Sequence, residues 1–258
     1  MGATAGRGRG VDRRRRAAVS AGTTVVLDRD GTLLDFYEMF HRFVVDLHRA
    51  ARADPPPREE IVGYAYWTSI TSGRLRIGGV RVRDRVDDVV RRYMPHGTLY
   101  DGAVPALTAL AGAGVRLALV SSWIGTEQTR ELLRGYGVAE CFGEVVTRDD
   151  LPGDSVGLSD ADAKTVLARG ALDQVGHRTG DRLFVVGDTP ADVLLGRRLN
   201  ATVIGVRTGN GAALPAAPPE GPDLILPSVA GLAGLVLGTG KGVRAVPVDG
   251  GTAGEADR

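Results

Sequence analysis

Two kinds of apolar pattern divide this chain. Short aliphatic runs bounded by glycine or polar residues occur at Val25–Leu27, Val115–Val120, Val145–Val146, Leu183–Val186, Thr202–Val206 and Asp223–Leu226, and they read as buried strands. Segments with helical spacing lie between them. These are Ala103–Ala111, the stretch through Glu127, Leu132 and Leu133, Ala161–Val175, Val193–Leu199, and a last helix through Leu232 and Leu235. Glycines close several of them, among them Gly112, Gly114, Gly135 and Gly137. Strands alternating with helices predict an α/β core, a Rossmann-like parallel sheet covered on both faces.

Residues 36–97 break that alternation. Phe36, Met39, Phe40, Phe43, Val44 and Leu47 recur at helical spacing and predict an amphipathic helix over 36–52, stopped before Asp54-Pro55-Pro56-Pro57. Pro57 suits the first turn of a second helix, with Ile61, Val62 and Tyr64 facing inward. Residues 68–79 are rich in Thr, Ser and Gly and read as loop. A third helix is expected over 80–93 through Val82, Val86, Val89, Val90 and Tyr93, ended by Pro95 and Gly97. The predicted organisation is a small helical cap, 36–97, inserted into a core made of 22–35 and 98–237. A basic arm, 1–21, is expected to be disordered, and a Gly-rich tail, 238–258, to be flexible.

Polar residues cluster where the strands end. The first strand runs into Asp28 and Asp30, spaced i, i+2, with Gly31 and Thr32 following. The Val115–Val120 run ends in Ser121-Ser122-Trp123, and the Leu183–Val186 run in Gly187-Asp188-Thr189-Pro190-Ala191-Asp192. In a parallel sheet these ends share one crevice. Paired carboxylates there can hold a hard cation and divide nucleophilic from acid–base work. Capping of the next helix by Asp188 or Asp192 is compatible with a metal role but leaves the second acid unexplained. Lys164 and Lys241 are the only lysines among 32 basic residues, and Lys164 opens the helix expected between the second and third of these strand ends.

Asp28-Arg29-Asp30-Gly31-Thr32, Ser121, Lys164 and the Gly187–Asp192 acids resemble, in order, the four motifs of the haloacid dehalogenase superfamily. The branch is that of phosphatases with an inserted helical cap, similar to phosphoglycolate phosphatase-like enzymes. The resemblance covers residues 28–192. It implies hydrolysis of a phosphate monoester of a small metabolite with Mg²⁺, through an aspartyl-phosphate. Asp28 would be the nucleophile and Asp30 the acid and base. Mg²⁺ would be held by Asp28, the Asp30 carbonyl and Asp188, with Asp192 supporting from behind. Ser121, its neighbour Ser122, Lys164, and Gly31 and Thr32 of the first turn would bind phosphate. Asp30 disfavours dehalogenase chemistry. A phosphosugar mutase using the same residues, or a non-catalytic binding module of this fold, are the alternatives. Two positions depart from the pattern. Thr165 stands where many relatives have proline, and Arg29 where many have an apolar residue. Arg29 would either contact substrate or pair with an acid at the sheet edge.

Composition narrows the setting. The chain has 258 residues, is 43% apolar and carries a net charge of +1, so it is long enough for a core with an insert and is not basic overall. Arg7, Arg9 and Arg13–Arg16 have no interleaved aromatics, which argues against a nucleic-acid partner. No apolar run reaches membrane-spanning length. The single cysteine, Cys141, allows no internal disulfide, suits a reducing cytoplasm and reads as filler. A monomer or homodimer is expected. Substrate choice would fall to cap residues, with His41, Tyr64, Trp67, Arg74 and Arg76 as candidates.

Overall fold

The computed structural model describes residues 22–239 apart from Asp154 and Val156, and the side chain of Tyr64 is also outside the described set. The basic arm, most of the Gly-rich tail and Lys241 therefore lie outside the described residues. In chain order, β1 (Thr23–Leu27) is followed by a two-residue strand, β2 (Leu34–Asp35). Then come α1 (Tyr37–Ala50), α2 (Arg58–Ile61), α3 (Tyr64–Thr71), β3 (Arg76–Ile77), β4 (Val80–Arg81), α4 (Asp88–Tyr93) and β5 (Thr98–Leu99). Regular alternation resumes with α5 (Ala103–Gly112), β6 (Arg116–Val120), α6 (Thr126–Gly135), β7 (Glu144–Val146), α7 (Asp160–Gln174) and β8 (Arg182–Gly187). It ends with α8 (Pro190–Arg198), β9 (Thr202–Val206), β10 (Leu224–Leu226) and α9 (Leu232–Leu237).

Six strands form one sheet in the order β10-β9-β8-β1-β6-β7, and every neighbouring pair is parallel. β1 sits in the middle and alternates between faces. Val25 and Leu27 join the cluster that contains Leu107 and Leu110 of α5 and Leu232 and Val236 of α9. Val26 joins the opposite cluster, with Leu167, Ala168, Ala171 and Leu172 of α7. Asp28 lies two residues beyond Val26, so the strand period aims it at the face that α7 covers.

The chain leaves the core through β2 and returns through β5, and these two strands pair antiparallel. Everything between them packs on its own apolar cluster, including Leu34, Met39, Phe40, Phe43, Ile61, Tyr66, Ile70, Val89, Val90 and Met94. Ile124 is the core residue buried in that cluster.

The insert differs from the sequence expectation in two places. Residues 64–71 form α3, although 68–79 reads as loop. Ser69 and Thr71 satisfy their hydroxyls on carbonyls of the same helix, and Tyr66 and Ile70, spaced i, i+4, bury its inner face. Residues 80–93 are not one helix. Gly78 (φ 53°) and Gly79 (φ 81°) turn the chain so that β4 pairs back on β3, a 3-10 turn follows at Val82–Arg85, and α4 starts only at Asp88.

Candidate active site

β1 delivers Asp28 to the C-terminal edge of the sheet, and its N–H still donates to the Val186 carbonyl (2.9 Å). α7 brings Lys164 across that face. Its N-terminus is fixed by Ser159, whose hydroxyl accepts from the Asp162 N–H (3.2 Å). The Lys164 ammonium donates to Asp28 Oδ1 (2.7 Å) and Asp192 Oδ1 (2.5 Å), and all three side chains are nearly inaccessible.

Asp192 does two jobs. Its other oxygen accepts from the Thr189 N–H (3.1 Å) and hydroxyl (2.6 Å) and so closes the first turn of α8. Gly187 makes room for it, since a Cβ there would lie 2.1 Å from the Asp192 Cγ. Asp188, fully buried, accepts on Oδ2 from the Asn210 N–H (2.7 Å), and the Thr32 hydroxyl is 3.4 Å from Oδ1. Gly31, at φ 82°, is the close approach of the first turn, because a Cβ there would sit 2.2 Å from Asp188 Oδ2.

Asp30 faces another way. Its carboxylate is gripped by the Arg29 guanidinium, with Nε 3.0 and 3.1 Å from the two oxygens, and it accepts from the Ser121 hydroxyl (3.2 Å). Ser121 Oγ also accepts the Trp123 N–H (3.1 Å). Ser122 is half-buried, and its carbonyl accepts from Arg148. Arg29 is fully buried, so of its two readings the structure shows the ion pair with an acid at the sheet edge.

The buried charges do not balance. Asp28, Asp188 and Asp192 offer carboxylate oxygens within 4.8 Å of one another, against the single Lys164 ammonium. Burial drives the Asp28 carboxyl well up from its ordinary range. Lys164 opposes that rise, and Asp192, Asp188 and Asp30 add to it. Asp188 is pushed up to about 7 by burial and then by Asp192. For Lys164, burial disfavours the charge, but Asp192 and Asp28 outweigh it and keep the ammonium protonated above its ordinary range. A site of hard oxygen donors with surplus negative charge fits a divalent cation. Asp28 Oδ2 and Asp188 Oδ1 are the oxygens least engaged by the protein, whereas both Asp192 oxygens are taken.

The structure brings Asp28, Asp188, Asp192, Lys164, Gly31 and Thr32 together, with Asp30, Ser121 and Ser122 alongside. One part has no counterpart in the sequence reading, the turn Thr208-Gly209-Asn210 after β9. Besides the Asn210 bond, Gly209 packs so tightly that a Cβ would lie 2.4 Å from Gly31 Cα. Tyr37 donates to the Gly209 carbonyl (3.2 Å), and Tyr100 accepts its N–H (3.2 Å). The signal was a Gly-Asn-Gly turn directly after a buried strand at the same sheet edge. Trp67 meets the core at Trp123, ring centroids 5.7 Å apart. Arg76 lies away from the site, in the β3–β4 hairpin. That hairpin packs on Ala51 through Gly78, at the opposite end of α1 from Tyr37, about 20 Å along the helix.

Comparison with known proteins bears on the family and the fold. Residues 23–200 match the family model of the haloacid dehalogenase-like hydrolases. No curated protein matches the chain in sequence. Among solved structures, a predicted phosphatase from Clostridium acetobutylicum superposes with a TM-score of 0.62 at 21% identity, covering 84% of this chain and 98% of that one. A predicted phosphoglycolate phosphatase from Haemophilus somnus gives 0.63 at 16% identity, with 83% and 97% covered. The Protein Tyrosine Kinase A of Mycobacterium tuberculosis gives 0.59 at 24% identity, with 83% and 98% covered. At these identities the superpositions establish a shared fold and leave activity to the site.

Proposed function

The chain belongs to the haloacid dehalogenase-like hydrolases, and on that premise we propose that it hydrolyses phosphate monoesters of a small metabolite through an aspartyl-phosphate on Asp28. The observation that carries the reading is the Lys164 ammonium set between Asp28 and Asp192 in a buried group of carboxylates. An anionic nucleophile must meet an anionic phosphoryl group, and a buried cation beside it lowers that repulsion. Asp28 attacks phosphorus. Asp30 gives its proton to the departing ester oxygen, and its carboxylate then takes a proton from the water that splits the acyl phosphate. Ser121 and Lys164 hold phosphoryl oxygens, with Ser122, Gly31 and Thr32 completing the turn around them.

Asp28, Asp188 and the Asp30 carbonyl would hold Mg²⁺, with Asp192 fixing Lys164 and the start of α8. The ion would supply positive charge where anion approaches anion. Residues 36–97 act as a cap on the core of 22–35 and 98–237, and choose the ester's organic part. A panel of sugar phosphates, phosphoglycolate, nucleotides and phosphorylated cofactors, assayed for released phosphate with and without Mg²⁺, tests the activity. Rapid quenching with p-nitrophenyl phosphate tests the intermediate. Wild type should yield a hydroxylamine-labile phosphoprotein, and Asp28→Asn none. Phosphoprotein in the Asp28→Asn enzyme would sink the assignment of the nucleophile.

A further inference from the structure

We infer that Arg29 is a positioning residue, the anchor that keeps the Asp30 carboxylate in place when Ser121 turns to the substrate. The inference rests on the phosphatase reading above. Arg29 is 1% exposed and heads the largest fully buried side chains of the protein. An unpaired guanidinium there would be costly, so its partners define its place. One edge meets Asp30, where Nε hydrogen-bonds both oxygens (3.0 and 3.1 Å) and a terminal nitrogen lies 2.8 Å from Oδ2 as an ion-pair contact without hydrogen-bond geometry. The other terminal nitrogen donates to the Ile124 carbonyl (2.9 Å) and the Thr129 hydroxyl (2.7 Å). Thr129 in turn donates to the Gly125 carbonyl (2.7 Å), at the start of α6. The residue between the two acids thus ties one of them to a neighbouring helix of the core.

Ser121 makes this tie necessary. A hydroxyl has one proton to donate, and that of Ser121 is given to Asp30. Once it points to a phosphoryl oxygen, Arg29 is the remaining side-chain partner of the Asp30 carboxylate among the described residues. The chemistry then depends on where Arg29 holds it. As the substrate binds, Asp30 takes up a proton from solvent; as Asp28 then bonds to phosphorus, the P–O ester bond breaks, and the ester oxygen takes its electron pair and that proton from the Asp30 carboxyl. In the second step water bonds to phosphorus, its proton passes to Asp30, and Asp28 leaves as carboxylate with release of phosphate. Asp30 returns its proton to solvent and ends as it began. A displaced Asp30 harms the first step most when the leaving oxygen is a poor one.

The test compares two esters in Arg29→Met, Arg29→Lys and Thr129→Val. One is p-nitrophenyl phosphate, whose leaving group needs little protonation, and the other is the alkyl phosphate hydrolysed fastest in the panel. Acid–base help is worth about 10²–10⁴-fold, so loss of its positioning in Arg29→Met should lower kcat on the alkyl ester by about 10–100-fold and on the aryl ester by about 3-fold or less. KM should hold, Arg29→Lys should recover part of the difference, and Thr129→Val should show a smaller difference of the same sign. Where Arg29→Met does not fold, the lysine and valine variants carry the comparison. Equal losses on both esters, or none, would reduce Arg29 to a structural ion pair. A wild type that releases phosphate from no ester would instead overturn the phosphatase reading, and this inference with it.

Discussion

The carboxylate crevice and the helical insert are built from opposite materials. The crevice is polar and buried, with Asp28, Asp188, Asp192 and Lys164 all nearly inaccessible. Its geometry is set by backbone, with glycines 31, 187 and 209 at approaches a Cβ would block. The insert is aromatic. Phe36, Phe40, Tyr66 and Trp67 pack edge to face, and Trp67 continues that packing onto Trp123 of the core. A network of buried charges tolerates few substitutions, because each member is the partner that makes another tolerable. A packed aromatic cluster loses stability in proportion to volume and leaves the charges alone. Substitutions in the first region should therefore act on turnover as well as stability, and those in the second on stability and substrate binding with turnover largely kept.

The largest effect that sharpens this contrast is expected from Lys164→Met. The variant keeps a long side chain but leaves Asp28, Asp192 and Asp188 without the ammonium. Turnover should fall by about 10²–10³-fold, as when an electrostatic stabiliser of a transition state is removed. Breaking a buried pair should also cost about 3–5 kcal/mol at neutral pH. Lower pH should relieve that cost, because the acids can then bind protons. Steady-state kinetics beside circular dichroism melts at two pH values would check both. Turnover within a few fold of wild type would move the role of Lys164 elsewhere.

Phe40→Ala is the counterpart in the insert. Phe40 is 1% exposed and stacks on Phe36, Tyr66 and Trp67. Truncation should cost about 3–5 kcal/mol, seen in chemical denaturation. It should also change the fluorescence of Trp67 and Trp123, the only tryptophans of the chain. The folded fraction should keep kcat within about ten-fold and lose more in KM. A fall in kcat as deep as that of Lys164→Met, at unchanged KM, would break the division between the regions.

The two regions were also unequally legible in the sequence. The core strands and their helices follow from periodicity, because each strand is a short aliphatic run closed by glycine or a polar residue. Asp28, Ser121, Lys164 and Asp188 are likewise found at the strand and helix ends where the pattern puts them. The insert was read less well. Ser69 and Thr71 look like loop but bond within α3, and Val80–Arg81 form a hairpin strand where a helix over 80–93 was expected. Arg29 could not be settled from sequence, since its partners Ile124 and Thr129 lie about a hundred residues away. The Gly209 turn was missed because no side chain announces it. Its contribution is a backbone N–H from Asn210 to Asp188 and the absence of a Cβ.

The smallest effect expected is a linkage between pH and divalent cations confined to the crevice. Asp188 has an ordinary value of 3.8 and is pushed up to about 7 in the folded protein, while Asp28 is raised in the same direction. Between about pH 4 and pH 7 the folded protein therefore holds protons that the unfolded chain has released. The slope of unfolding free energy with pH is set by protons bound unfolded minus folded, so these groups make stability fall as pH rises through that window. Lys164, raised above its ordinary 10.5, adds stability that stays constant there and is lost only at higher pH. Asp223 and Glu38 are held low by arginines, and their stabilisation is complete once pH exceeds their ordinary values of 3.8 and 4.5, so it offsets the fall only at the acid end of the window. A cation that binds the ionised carboxylates competes with the protons and removes the penalty. Mg²⁺ should thus raise the melting temperature more at pH 8 than at pH 5. Asp188→Asn should flatten the pH dependence and most of the Mg²⁺ response together, whereas Phe40→Ala should shift every curve down without changing its shape. A Mg²⁺ shift equal at both pH values in wild type would detach the cation from these acids.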